Sequence, residues 1–215
     1  MWDKLKEQFN LLKIEKRKLC LITNSDKFES KDMFIDAIAS AIQGGVDVVQ
    51  LNELNLPDNT VVEIGHKLRI ICDEFGTTFI VNKRIDIAQI VDADGVHLEE
   101  FDIDIKDARE ILGSNKIIGK SAFCKEDALN SFKKGADYIT LGPICTMNNK
   151  IEPIPYDDIQ WINKNIKIPI FGTGEFCYEN IDMAKKSGIT RLAMTNPIMY
   201  SKIPEQTARS IIGLL

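Results

Sequence analysis

Short apolar runs alternate with helical stretches eight times along this chain, and that alternation limits the possible folds more than any other feature. The spacing predicts strands over 19–23, 46–51, 78–81, 95–98, 116–119, 138–141, 168–171 and 191–193. It predicts helices over 31–43, 58–75, 84–92, 104–112, 126–134, 156–165, 178–187 and 204–214. Many of the helices stop at glycine, at Gly44-Gly45, Gly76, Gly113, Gly135 and Gly188, as helix C-termini commonly do. The strands are too short and too uniformly apolar to have a wet face, so both faces are expected to be buried, as in a parallel sheet. Eight such repeats, with no Pro/Ser-rich break, imply an α/β fold, the (β/α)8 TIM barrel. A doubly wound open sheet is the alternative, but its Gly-rich first turn is missing.

Residues 18–215 form the expected single barrel domain, preceded by a helix over 1–17. Trp2, Leu5, Phe9 and Leu12 recur at helical spacing there, which predicts an amphipathic helix packed on the barrel. Asp3, Lys4, Lys6 and Glu7 interrupt any apolar core a signal peptide would need. No apolar run approaches the ~20 residues of a membrane helix. The net charge of −5, with signs interspersed, gives no footprint for nucleic acid. Five cysteines without a Cys-x-x-Cys pair read as reduced thiols of a cytoplasmic protein.

In a barrel of this kind, chemistry sits where strands end and loops begin. Those positions hold Thr23, Gln50, Asn52, Asn82, Lys83, His97, Asp102, Ser121, the stretch 142–150, the stretch 172–175, Thr195 and Asn196. The set lacks paired carboxylates, a Ser/His/Asp arrangement and His-rich metal spacing. Amides, hydroxyls, lysines and glycine turns suit an anionic, phosphorylated ligand. Gly172-Thr173-Gly174 and Thr195-Asn196 follow strands seven and eight, where barrels often bind phosphate through backbone N–H groups. The alternative is that these glycines only make tight turns. His97 reads as a packed, hydrogen-bonded histidine, and Trp161 as core. Lys83 reads three ways: a solvent-facing cation, an anion contact, or an imine-forming nucleophile.

Four motifs carry a resemblance: Gly-Gly-Val-Asp-Val-Val-Gln-Leu at 44–51, Phe-Ile-Val-Asn-Lys-Arg-Ile-Asp at 79–86, Ala-Asp-Gly-Val-His-Leu at 93–98 and Gly-Ala-Asp-Tyr-Ile-Thr-Leu-Gly-Pro-Ile at 135–144. With the more distant Lys150, they make the chain resemble the thiamine phosphate synthase family, to which the thiazole tautomerases are a similar sister family. The resemblance implies transfer of an aminomethyl-pyrimidine from diphosphate to a thiazole phosphate, with Mg2+ as cofactor, small phosphorylated substrates and a homodimer. It implies that Gln50 contacts the pyrimidine, Asn82 and Lys150 the diphosphate, Ser121 the substrate from the loop after strand five, and that Gly174 offers a backbone donor to the thiazole phosphate. Lys150 and Ser121 are thereby the expected catalytic pair, with Lys83, Thr195 and Asn196 as further binding residues. Asp102 matches one of two Mg2+-binding aspartates.

The chain departs from the pattern at several of these places. Asn52 and Leu54 stand where the family has cations, Lys83 stands where it has a metal-binding aspartate, and Glu175 stands where a second glycine is usual. Thr146-Met147-Asn148-Asn149 replaces a run of threonines, and Asn196-Pro197 replaces Ser-Ala. A tautomerase would carry a histidine base two residues after Ser121, and this chain has Phe123. Three readings stay open: a divergent synthase, a non-catalytic barrel that binds a thiamine-related phosphate, and a lyase or isomerase of another small phosphate.

Overall fold

Each strand pairs in parallel with its successor, and the last pairs with the first, closing an eight-stranded barrel in the computed structural model, which describes residues 14–146 and 152–215. The strands are β1 (Leu19–Ile22), β2 (Val48–Leu51), β3 (Thr78–Asn82), β4 (Gly95–Leu98), β5 (Ile117–Ala122), β6 (Tyr138–Leu141), β7 (Ile170–Gly172) and β8 (Leu192–Met194). The helices are α1 (Lys31–Gln43), α2 (Asp58–Phe75), α3 (Ile85–Ile90), α4 (Ile105–Leu112), α5 (Lys125–Lys133), α6 (Tyr156–Asn165), α7 (Ile181–Lys186) and α8 (Pro204–Leu214). None of the described helices is long and apolar enough to cross a membrane.

Period-two alternation within each strand sorts the core into two parts. Cys20, Val48, Ile80, Ile117, Tyr138, Phe171 and Ala193 fill the barrel interior, and Ile14 joins them. Leu21, Val49, Phe79, Val96, Ile118, Ile139 and Leu192 belong to the other cluster, with helix residues such as Phe34, Ile64 and Leu68. Fully burying each such side chain contributes about 1.5–3 kcal/mol. Burial in the interior also pushes the Cys20 thiol well up, so it packs as an apolar group.

One sequence phrase locks the strand ends opposite the site. Asp47, Asp94 and Asp137 each precede an even-numbered strand and accept backbone N–H groups of the strand before it. Asp47 accepts from Lys18 and Leu19, Asp94 from Phe79 at 2.8 Å, and Asp137 from Ile118 at 2.7 Å. Arg69 and Arg109 neutralise the second and third of these, at 3.1 and 2.6 Å. Those aspartates lie inside the Val-Asp-Val, Ala-Asp-Gly and Ala-Asp-Tyr phrases that recur along the chain.

Several boundaries move. Strand five runs two residues past Lys120, because Ser121 and Ala122 pair with Thr140 and Leu141 in the parallel ladder. Ser121 therefore sits in β5 and not on the following loop. Asn82 likewise closes β3. Strand eight is shifted to Leu192–Met194, and Arg191 instead donates from Nε to the Arg17 carbonyl. α7 starts three residues late, at Ile181, since Asn180 first accepts from the Cys177 N–H in a tight turn. Trp161 is not core: α6 buries Ile159 and Ile162, and the Trp161 ring stays exposed under the Lys125 ammonium. The expected N-terminal helix over 1–17 lies outside the described residues except at its last turn.

Candidate functional site

Gln50, Asn82, His97, Ser121 and Thr140 stand at the C-terminal halves of five successive strands and share the interior face, which gathers them at one mouth of the barrel. They form two hydrogen-bonded groups. In the first, Gln50 Nε2 donates to Asn82 Oδ1 at 3.3 Å, and Asn82 Nδ2 donates to Asn52 Oδ1 at 2.7 Å and to Glu99 Oε1 at 3.2 Å. The other oxygen of Glu99 holds the Lys83 ammonium at 2.6 Å. In the second, the His97 ring lies between Tyr138 Oη, 3.1 Å from Nδ1, and Ser121 Oγ, 2.9 Å from Nε2. Thr140 Oγ1 completes it, 3.2 Å from Ser121 Oγ and 3.3 Å from His97 Nε2.

These environments assign charge. Burial pushes His97 down to about 4, so the ring is neutral near pH 7 and serves as packing with both nitrogens engaged. The hydrogen bond to Glu99 raises Lys83, which favours the ammonium form that an anion contact needs over the neutral amine that an imine-forming nucleophile needs. Burial pushes the Glu99 carboxyl up, but Lys83 and Asn82 more than offset this and leave it below its ordinary value. Lys120, lowered by burial, donates to the Glu99 carbonyl at 2.6 Å. Its ammonium helps hold the β4 loop.

His97 also makes a pH prediction. The unfolded chain binds a proton on this histidine below its ordinary value of 6.5, whereas the folded chain resists it until about 4. Stability is therefore complete above 6.5 and is lost as pH falls through that window, by on the order of 3 kcal/mol in total. Urea unfolding at pH 7 and pH 4.5 should show a smaller acid loss in His97→Gln than in the wild type. Equal losses would remove His97 as the cause.

The structure places the remaining expected residues as follows. Asp104 caps α4, while Asp102 Oδ2 accepts the Glu99 N–H at 2.7 Å and closes the turn after β4. It lies on the wall between two clefts. One, of about 300 Å3, includes Lys120, Ser121, Phe123 and Asp127; the other, of about 530 Å3, includes Lys83, Arg84 and Phe101. Phe123 occupies the first cleft with a side chain that cannot take a proton, so a tautomerase base is missing there. Gly174 is held against the loop after β6. A Cβ on it would lie 2.7 Å from the Cys145 carbonyl oxygen, so glycine is required there by close approach as well as by the turn. Ile144 donates to Thr173 O, Thr173 to Leu141 O and Glu175 to Cys145 O, and these bonds stitch the two loops together. Thr195 and Asn196 follow β8, half-buried and exposed respectively, and Thr195 O accepts the Met199 N–H. Lys150 lies outside the described residues.

Glu53, Glu99, Tyr138 and Thr140 belong to the site and escape a reading of strand ends. Glu99 and Thr140 carry a signal, since each is two residues from an interior position, His97 and Gly142. Glu53 is buried and accepts from Thr23 Oγ1, Ser25 Oγ and Ser25 N, which ties the β1 loop to the β2 loop. Tyr138 reads locally as a strand former, and only the pairing of β6 with β5 turns its hydroxyl to His97.

Chemically, the mouth offers amide and hydroxyl donors, one ammonium paired to a carboxylate, and a neutral locked histidine. Among the described residues the mouth histidine is locked between two hydroxyls and Glu99 is held by an ammonium, while Glu100, Asp102 and Asp127 line the cleft beside Ser121. A family model described as thiamine monophosphate synthase matches residues 19–198. A thiamine-phosphate synthase of Clostridioides difficile is 36% identical over 170 residues, with 78% of this chain and 80% of the relative covered. A thiamine-phosphate synthase of Synechococcus sp. is 32% identical over 94% of this chain, and the chain spans 58% of that relative's length. The solved thiamine phosphate pyrophosphorylase of Pyrococcus furiosus superposes with a TM-score of 0.82 at 31% identity, covering 94% of this chain and 98% of that one. By sequence and architecture, the chain belongs to the thiamine monophosphate synthase family.

Proposed function

We infer that the protein is a transferase that joins an aminomethyl-pyrimidine diphosphate to a thiazole phosphate and releases diphosphate. The observation that carries this reading is a barrel mouth rich in hydrogen-bond donors, in which, among the described residues, the histidine is locked and neutral and Glu99 is held by an ammonium. The transfer needs no general base. The bond from the pyrimidine methylene carbon to the diphosphate oxygen breaks, and its electron pair leaves with the diphosphate. The thiazole nitrogen then gives its lone pair to the cationic methylene carbon. No proton is abstracted in either event, so the protein's tasks are to orient two substrates, stabilise the leaving anion and exclude water.

On this reading Gln50 holds the pyrimidine, and Asn82, Lys83 and Lys150 face the diphosphate. Ser121 touches the substrate from β5, its hydroxyl aligned by His97 and Thr140. Gly174 with Thr195 and Asn196 receives the thiazole phosphate, in the place where barrels commonly bind phosphate. The protein would work in the cytoplasm on small phosphorylated substrates, and as a homodimer.

The Mg2+ implied by the family can be tested against the donor set. Such ions are held by one or two carboxylates plus substrate phosphate oxygens. Of the two positions to which the resemblance assigns a metal-binding aspartate only Asp102 keeps one, one of its oxygens is engaged by the Glu99 N–H, and the ammonium groups of Lys83 and Lys120 lie within its electrostatic reach. No group of three acidic, histidine or cysteine side chains suited to a metal exists among the described residues. One carboxylate remains of the two that the resemblance implies, and an ammonium stands in place of the other, so this donor set fits a resident Mg2+ poorly.

The test is a coupling assay with both substrates, with and without Mg2+, read as thiamine phosphate formed. Product establishes the synthase. No product under either condition overturns it, and retained binding of the thiazole phosphate in that case would mark a non-catalytic barrel.

A further inference from the structure

A single ion pair sets the direction of the whole first hydrogen-bonded group. Glu99, ionised beside Lys83, can only accept, so Asn82 must turn its Nδ2 toward it. That leaves Asn82 Oδ1 for Gln50, which must then donate through Nε2. Gln50 Oε1 is the remainder: an acceptor with no donor among the described residues, on a side chain only 3% exposed. A buried acceptor without a donor is costly, and it points to a ligand that fills the mouth.

Lys83 is the solvent-facing end of this arrangement. Its backbone adopts φ 59°, a left-handed conformation unusual for lysine, held by its N–H bond to the His97 carbonyl at 2.8 Å. The Lys83 and Glu99 side chains are 31% and 42% exposed, and ion pairs this open are weak and easily exchanged. Nearby cations are less available. Arg84 is tied to both Asp58 and Asp86, and Lys120 is engaged at the Glu99 carbonyl. An anion entering the cleft beside Lys83 and Asp102 would carry more charge than the single carboxylate it displaces, and would win the ammonium.

We propose that Lys83 is the chain's own counter-cation for diphosphate, parked on Glu99 until the anion arrives, and that it binds diphosphate without a metal ion. The proposal rests on the synthase reading and deepens it at the leaving-group end of the site. It also accounts for the misfit with Mg2+, since an ammonium stands where the resemblance implies a metal ligand.

The experiment is calorimetric titration with inorganic pyrophosphate, in EDTA and in Mg2+, on the wild type, Lys83→Met, Lys83→Arg and Glu99→Gln. The wild type should bind in EDTA. Lys83→Met should bind about 10-fold or more weakly, and Lys83→Arg should stay within a few fold of wild type. Glu99→Gln should bind more tightly in EDTA, by roughly 3- to 10-fold, because the ammonium is released. A purely structural ion pair would not produce that gain. Binding that requires Mg2+, an unchanged affinity in Lys83→Met, or a weaker one in Glu99→Gln would each overturn the proposal. Thermal melts of all four proteins separate misfolding from lost contact. Thiamine phosphate formation, followed on the same preparations, separates the two readings. Lys83-dependent binding without product would sink the synthase and leave the anion site, and product without that binding would do the reverse.

Discussion

Gly119→Ala is expected to destabilise the protein by about 3 kcal/mol or more, at the upper end of what overpacking a core costs. Gly119 pairs with Tyr138 across β5 and β6 and faces the barrel interior. A Cβ there would lie 2.1 Å from Tyr138 Cζ, 2.3 Å from Cε1 and 2.5 Å from the hydroxyl oxygen. The ring cannot retreat, since it is fully buried with His97 near one side and the Phe171 ring at 5.7 Å in edge contact. Any shift also breaks the Tyr138–His97 hydrogen bond, adding about 1 kcal/mol and loosening the histidine behind Ser121. Urea unfolding should show a lower midpoint with an unchanged slope. Tyr138→Leu in the same chain should recover part of the loss, because the clash is with the outer ring atoms. A wild-type midpoint in Gly119→Ala would refute the packing account.

Lys150→Ala should lower turnover at least 100-fold, an effect of the size seen when a transition-state donor is removed. Ile144 donates to Thr173 O at 2.7 Å and Ile154 to Pro143 O at 2.9 Å, so both ends of the β6–α6 connection are held at the barrel mouth. Lys150 is four residues from Ile154, and it is the one cation in the segment between these anchors. Charge on the leaving diphosphate grows as its bond to carbon breaks, so a cation there acts more strongly in the transition state than on bound substrate. The loss should therefore fall mainly on kcat, with KM for the pyrimidine diphosphate changing less. A kcat within a few fold of wild type would remove Lys150 from the site.

The positions of strands and helices were readable because each repeat states itself locally. A run such as Val-Val-Gln-Leu or Tyr-Ile-Thr-Leu puts apolar residues on both faces, and a glycine closes many of the helices. The aspartates before β2, β4 and β6 were readable as a recurring phrase, though their partners one strand away were not. Gln50, Asn82, Ser121 and Gly174 could be picked out from their places near strand ends. Lys120 and Ser121 read as loop in the sequence, and only the ladder to Ile139 and Thr140 puts them in β5.

By itself the sequence determined the alternation, hence the closed parallel barrel, and the end of it on which polar side chains collect. The reason is that burial of a strand on both faces, and of one stripe of each helix, is written in consecutive residues. Only the tertiary structure decided what those polar side chains do. His97 finds Tyr138 and Ser121, and Lys83 finds Glu99, through strand register that joins residues 16 to 41 positions apart. A partner's identity sets whether a lysine is a nucleophile or a held cation, and whether a histidine is a base or packing. No local pattern encodes that pairing, because it exists only once neighbouring strands have closed around a common interior.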